Sequence, residues 1–322
     1  MTSIAILIFA ALLDSIIGDP KKWLHPVQVI GRVISVLTKF IFKLCQNSFS
    51  QRVGGICLCF IVVFGSALTV WLGIKILYKV HPILGIGSEI ILLGSCFALK
   101  SLRDAAVCVI KPLENQQIIS ARWMLSNYVG RDTTNLSESE ILRALLETVA
   151  ENATDGVMAP LFFAIIGSLI PVIGAVPSAI AYKAISTLDS MVGYREAPYT
   201  YIGWCSARLE DILTWVPCRL TVLTLAIISR KPWQVWQICC RDAPKDPSPN
   251  SGWSECTYAA ILGVQMGGTN FYDGVAKHKP LLGNATASIS LKTIERALNL
   301  TRYCFLIWLG GGASLLLIAL KR

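Results

Sequence analysis

Charge is what this chain has least of. Asp, Glu, Lys and Arg make up 15% of its 322 residues, where a soluble domain carries about a quarter. Histidine is nearly absent: His25, His81 and His278 stand far apart, which sets aside a zinc site and a histidine-based triad. The 11 cysteines include no C-x-x-C. Their neighbours are mostly Leu, Ile, Val and Phe, so even the close pairs Cys57/Cys59 and Cys239/Cys240 read as small hydrophobes, not as a metal or disulfide framework. No G-x-x-x-x-G-K-[ST] stretch occurs, so a bound nucleotide would not sit in a P-loop. Repeats of roughly 20–50 residues are missing, which sets aside a solenoid. Basic stretches interleaved with aromatics are missing too, so nucleic acid is not an expected partner.

Apolar length takes the place of charge. Apolar residues make up 54% of the chain and mean hydropathy is +0.58. A helix crossing ~30 Å of hydrocarbon needs roughly 20 apolar residues. "VGGICLCFIVVFGSALTVWLGI" (53–74) meets that standard without a charge, and "PILGIGSEIILLGSCFAL" (82–99) nearly does, with one Glu. "TRYCFLIWLGGGASLLLIALKR" (301–322) is a third candidate. "SIAILIFAALLDSIIG" is interrupted by Asp14 and lacks the basic leader and small-residue cleavage site of a signal peptide, so it reads as a retained first span.

The net charge of +9 is distributed between these runs. Lys21, Lys22, Arg32, Lys39, Lys43 and Arg52 lie between the first two, and Lys100, Arg103, Lys111, Arg122, Arg131 and Arg143 follow the third. Under the positive-inside rule both stretches face the cytoplasm. The expectation is a multi-pass protein of the cell membrane, in contact with lipid, whose active site faces the cytoplasm.

The predicted fold class is all-α: a polytopic integral membrane helical protein with re-entrant or broken helices and cytoplasmic polar segments. It reads as one membrane-embedded domain, 1–322, with polar excursions at about 100–155 and 229–302. In the first, Ser137 followed by Glu140 predicts a capping box opening a helix whose apolar face is Leu142, Leu145, Leu146 and Val149. In the second, Pro244, Pro247 and Pro249 forbid a continuous helix. Two apolar stretches are awkward: 157–181 holds Pro160, Pro171, Gly174 and Pro177, and 212–229 holds Pro217 and Arg219. Each fits a full span or a broken one. We expect 157–181 to turn back, which puts all polar segments on one side.

Four constellations could carry chemistry. Glu147, Glu151 and Asp155 stand four apart and drift by only about 40° per step around a helix. They form either a solvated face offset by Arg143 or a divalent-cation site of the kind Mg²⁺ shares with phosphate oxygens and water. "STLDSMVGYR" sets Asp189 among apolar neighbours with Lys183 before it and Arg195 after it; an ion pair or a functional carboxylate both fit. "ARLEDI" brings Arg208, Glu210 and Asp211, suited to an ion pair or to phosphate. "KDPSPNSGW" presents Ser248, Asn250 and Ser251 on a stiff loop, and the pair Gly267–Gly268 lets backbone approach a ligand or simply turns. From the residues alone, this is a membrane-embedded, phosphate-handling enzyme.

Six stretches then resemble, in order and spacing, the CbiB/CobD family of cobalamin biosynthesis, the adenosylcobinamide-phosphate synthases. They are "LLDSIIGDPKKWLHPVQVIG", "ARWMLSNYVGRDTTNLSESEILRALLETVAENATDGVMAPLFF", "YKAISTLDSMVGYR", "GWCSARLEDILTWVPCRLT", "SPNSGWSE" and "LGVQMGGTNFYDG". The resemblance implies ATP-dependent amide ligation. The free propionate carboxylate of adenosylcobyric acid is joined to aminopropanol or its O-phosphate, with ATP and Mg²⁺ required and the corrinoid a substrate. It leaves room for homo-oligomers or association with other cobalamin-assembly enzymes. Carried onto this chain, it implies Glu147, Glu151 and Asp155 as metal ligands, with Glu147 and Asp189 catalytic. Arg131, Lys183, Arg195, Arg208, Ser248 and Asn250 are implied as phosphate or nucleotide contacts. Two departures stand out: Asp246 occupies a place where the family usually has His, and Ser186 one where it usually has Asn. The rival readings are a non-catalytic membrane sensor on the same scaffold, against which the complete acidic stripe speaks, and a transporter, for which no inverted repeat is visible.

Overall fold

Two of the three histidines begin helices. His25 Nδ1 accepts the Val27 N–H and His81 Nδ1 the Ile83 N–H, each at 3.2 Å, and in both cases proline supplies the first helical residue. This computed structural model describes residues 2–18 and 25–321; Lys21, Lys22 and Arg322 lie outside the described residues.

The chain runs through α1 (Thr2–Ile16), α2 (Pro26–Leu44), α3 (Ser48–Val80) and α4 (Pro82–Gly94), then α5 (Leu99–Glu114), α6 (Ile118–Ser126) and α7 (Glu138–Asn152). A π-helical turn (Ala153–Met158) carries α7 into α8 (Ala159–Ser168), and α9 (Ala175–Val192) and α10 (Trp204–Ile228) follow. α11 (Pro232–Asp242) and a 3₁₀ turn (Ala243–Lys245) lead to α12 (Ser251–Leu262). Strands β1 (Met266–Tyr272) and β2 (Val275–Leu282) precede α13 (Leu291–Ala319).

Among the described residues, 5 helical runs are long and apolar enough to cross a membrane: Ser48–Val80, Pro82–Glu114, Glu138–Ser168, Trp204–Ile228 and Leu291–Ala319. The protein is therefore a polytopic helical membrane protein. The Glu138–Ser168 run differs from the others in that 67% of its apolar window is buried within the protein. α1, at 15 residues, reaches about 22 Å and falls short of the hydrocarbon thickness. α10 runs unbroken through Pro217, whose carbonyl accepts the Thr221 hydroxyl at 2.8 Å. The apolar stretch 157–181 does reverse: α8 ends at Ser168, the chain turns through Gly174 (φ +87°), and α9 returns against α8.

The chain divides into two compact units. The first comprises Met1–Ala98, Ala159–Thr214 and Ile307–Arg322. Within it α3 packs on α4 and α9, α1 on α4, and α2 on both α3 and α9. Gly55 permits a close approach, since a Cβ there would stand 2.1 Å from the Ile202 carbonyl oxygen. Glu89, the one acid in its apolar run, accepts the Tyr78 hydroxyl at 2.7 Å.

The second unit comprises Leu99–Met158 and Trp215–Leu306. The Ser137–Glu140 capping box forms as expected: Glu140 accepts the Ser137 N–H at 2.7 Å, and Ser137 Oγ accepts the Glu140 N–H at 3.4 Å. α12 packs on α7 and α11, and Val235, Ile238, Cys239, Cys256 and Leu282 form a buried cluster beneath them. The prolines at 244, 247 and 249 separate α11 from α12.

Among the described residues, the hairpin is the one departure from all-helical secondary structure. β1 and β2 pair antiparallel through a two-residue turn at Asp273 and Gly274, both with positive φ (49° and 76°). Asp-Gly favours this turn because its twist matches that of the flanking strands. The "YDGV" of the second polar excursion carries that signal.

Candidate functional site

Glu147 lies one face of α7 away from solvent, 2% exposed. An isolated buried carboxylate is costly, so its partners define the place. Arg131 donates to its Oε2; Arg143, one turn earlier on α7, donates to Oε1 at 3.1 Å; and the Gly267 N–H reaches Oε1 at 2.9 Å. Both arginines also donate to Asn270 Oδ1, at 2.8 and 3.0 Å, and Arg143 reaches the Gly267 carbonyl at 2.7 Å. Glu147 thus ties β1 to α7 and holds both guanidinium groups in fixed positions. Next door, Asp132 accepts the Gly274 N–H at 2.8 Å and gives its own N–H to the Phe271 carbonyl at 2.8 Å.

A second carboxylate comes from α12. Glu255 is fully buried, and Lys279 of β2 donates to its Oε1 at 2.8 Å. Its Oε2 has no hydrogen-bond partner. Burial pushes the Glu255 carboxyl up to about 8; Lys279 opposes the shift, and the nearby Glu151 and Glu147 add to it. Burial works against the Lys279 charge, but Glu255 and Glu151 outweigh it and hold the ammonium protonated. α12 is locked beside α7 by Ser254, which accepts from Thr154 at 2.7 Å and donates to the Ala150 carbonyl at 2.6 Å.

Glu151 stands one turn beyond Glu147. It reaches solvent and lies within electrostatic reach of Lys279, Asp246, Glu147 and Arg131, which together with Arg143 and Glu255 make one charged cluster. Asp246 joins the cluster from the proline-rich loop. Its Oδ1 accepts the Ser248 N–H at 2.8 Å and the Ser251 hydroxyl at 3.2 Å, while its buried Oδ2 is unpartnered. The Nδ2 of Asn270 is likewise buried and unpartnered.

The other expected site residues fall as follows. Asp155 is half-buried in the π-helical turn, a backbone irregularity that often marks functional sites. Ser248 Oγ accepts the N–H groups of Asn250 and Ser251 at 3.2 Å each and so starts α12. Asn250 is buried and accepts from Arg219 at 3.2 Å; that guanidinium stacks between Trp215 and Trp253. Arg131, Glu147, Glu151, Asp155, Ser248 and Asn250 therefore all belong to the second unit. Lys183, Asp189, Arg195 and Arg208 belong to the first, where Arg195 and Arg208 lie within electrostatic reach of Asp211. Glu255, Lys279 and Asn270 went unnoticed in the sequence. Glu255 was present as the last letter of "SPNSGWSE", one helical turn after Ser251.

Among the described residues, no three Asp, Glu, His or Cys side chains converge to hold a metal on their own. Mg²⁺ needs less, because it binds through one or two carboxylates and completes its octahedron with substrate phosphates and water. Glu151 and the unpartnered Asp246 oxygen fit that requirement. Glu147, with both oxygens committed, contributes by placing Arg131 and Arg143.

Comparison with known proteins bears on this arrangement along its whole length. The family model described as CobD/Cbib protein matches residues 7–301. "Cobalamin biosynthesis protein CobD" of Synechocystis sp. is 51% identical over 98% of this chain and 93% of its own. "Cobalamin biosynthesis protein CbiB" of Salmonella arizonae is 40% identical over 97% and 94%. "Cobalamin biosynthesis protein CobD" of Halalkalibacterium halodurans is 40% identical over 94% of each. No solved structure matches.

Proposed function

The chain belongs to the CobD/CbiB family of cobalamin biosynthesis proteins, and from that premise we propose that it is the pathway's ATP-dependent acid–amine ligase. It joins the free propionate carboxylate of adenosylcobyric acid to the amine of aminopropanol or its O-phosphate. The charged cluster is taken to face the cytoplasm, where ATP is available.

A carboxylate is a poor acyl donor, so the first step transfers the γ-phosphoryl group of ATP to the propionate oxygen, releasing ADP. The amine nitrogen then attacks the acyl carbon; the C–N bond forms, the C–O bond to phosphate breaks, and inorganic phosphate leaves with the electron pair. The nitrogen loses its protons to bases and water. Mg²⁺, held by Glu151 and Asp246, would neutralise and gather the phosphate oxygens. Arg131 and Arg143 keep a fixed positive field beside that place because Glu147 and Asn270 fix both guanidinium groups. Asp155 is proposed as an outer support for the metal.

The observation that carries this reading is the make-up of the charged cluster. In a chain of this family, four carboxylates and three cations are gathered in one unit, and two buried carboxylate oxygens stay unpartnered. That supports a charged, metal-dependent reaction more than a sensor or a transporter. The test uses the purified protein in nanodiscs with adenosylcobyric acid, aminopropanol phosphate, ATP and Mg²⁺, with the corrinoid followed by mass spectrometry. Amide product that forms only with ATP and Mg²⁺ supports the proposal. Corrinoid that binds but stays unchanged shifts the chain to a binding role.

A further inference from the structure

Glu255 is the least exposed acid of the charged cluster. The side chain is 0% exposed. Oε1 is committed to Lys279 at 2.8 Å, so the carboxylate cannot swing to satisfy its other oxygen elsewhere. Oε2 has no donor. Leaving a buried acceptor unmet is costly, more so when it is charged. A ligand that supplied an N–H there would remove the penalty on binding.

The surroundings decide which kind of ligand fits. Glu151 and Glu147 of α7 lie within electrostatic reach of Glu255, and Asp246 of the proline-rich loop within reach of Glu151; Lys279, Arg131 and Arg143 oppose them. With every group ionised, four carboxylates meet three cations. One negative charge is left over, which a single monocation neutralises and a divalent ion overshoots. The Lys279 ammonium beside Oε1 also repels a divalent ion about twice as strongly as a monovalent one. Mg²⁺ with ATP arrives carrying net negative charge, so the excess remains when that pair is bound. We infer that Glu255, through Oε2 and backed by Glu151, is the subsite for the primary ammonium of the amine substrate. Lys279 is the positioning residue that holds the carboxylate with that oxygen free. The inference rests on the ligase reading above for the identity of the amine.

The test compares two nucleophiles on the full-length protein in nanodiscs near pH 7. Aminopropanol phosphate is an ammonium at that pH, whereas hydroxylamine is neutral and traps an activated acyl group as a hydroxamate without needing a cation subsite. Glu255→Gln keeps the shape and removes the charge. It is expected to raise the KM for the amine about ten- to a hundredfold, the range of one charged hydrogen bond, a larger loss than that of hydroxamate formation. A Glu255 that is merely protonated would be mimicked by glutamine, and an unchanged amine KM overturns the inference. Equal loss with both nucleophiles in a protein of wild-type melting behaviour overturns it too. Should the glutamine variant not fold, Glu255→Asp, which keeps the charge but withdraws it, carries the same criterion. If wild type forms neither amide nor hydroxamate, the ligase reading has failed. The subsite is then judged by calorimetry: aminopropanol binding that its amine-free analogue lacks, and that Glu255→Gln abolishes, sustains it, and equal binding of the two compounds overturns it.

Discussion

Glu147 spends both oxygens on protein groups, so its value lies in what it holds. Breaking a buried pair by removing one partner costs roughly 3 kcal/mol or more, because the other charge is left stranded. Glu147→Gln strands two guanidinium groups at once. The variant should lose about that much stability in a denaturant titration and should lose ATP-dependent turnover; wild-type stability would remove Glu147 from this role. Asp242 offers a second check. Although burial disfavours its charge, bonds from Arg241 and Lys245 and from the Gly283 N–H hold its carboxyl down at about 2, against 3.8 for a free aspartate. A lowered folded-state value means stability that is complete above about pH 4 and lost as pH falls toward 2. Asp242→Asn should flatten that acid limb in melts recorded across the range; a limb of unchanged slope would assign it elsewhere. Spacing alone revealed the acidic stripe of Glu147 and Glu151. It could not reveal that one is sealed by arginines and the other open, since Gly267 and Asn270 arrive from more than a hundred residues downstream.

At the scale of elements, the hairpin is where the chain's local signals and its helical bulk diverge. Gly267 sits at φ +89°, and a Cβ there would come within 2.0 Å of the Pro280 carbonyl oxygen. Gly267→Ala should therefore force β1 and β2 apart and release the Glu147 and Arg143 bonds, at a cost of about 1–3 kcal/mol. Hydrogen exchange of residues 266–282 would rise in the variant; unchanged protection would contradict the clamp. Ser248→Ala should cost about 1 kcal/mol by leaving the N–H groups of Asn250 and Ser251 without their acceptor, read as earlier fraying of α12. The capping box at Ser137, the proline interruption at 244–249 and the reversal near Gly174 were all legible, because each is written in adjacent residues. The β-pairing was not, because it depends on a register between segments that a helical composition conceals.

For the whole molecule, hydropathy located the long spans of α3, the α4–α5 run and α13, where apolar runs have no other use. It placed Glu138–Ser168 less well, because this run is covered by protein rather than lipid. Cysteines test the arrangement: Cys57 and Cys240 are both exposed, the first in the apolar run of α3, the second on α11. In variants keeping one cysteine each, a membrane-impermeant maleimide should label Cys240 from the cytoplasmic face only and leave Cys57 unreacted beneath lipid. Labelling of Cys240 from the outer face would invert the proposed topology.

The most direct measurement uses adenosylcobyric acid carrying ¹⁸O in its free carboxylate, with ATP, Mg²⁺, aminopropanol phosphate and the wild-type protein. Activation by phosphoryl transfer moves a carboxylate oxygen into the leaving group, so inorganic phosphate should gain ¹⁸O in step with amide formed. Amide made without label in phosphate, or phosphate released without amide, would contradict the account.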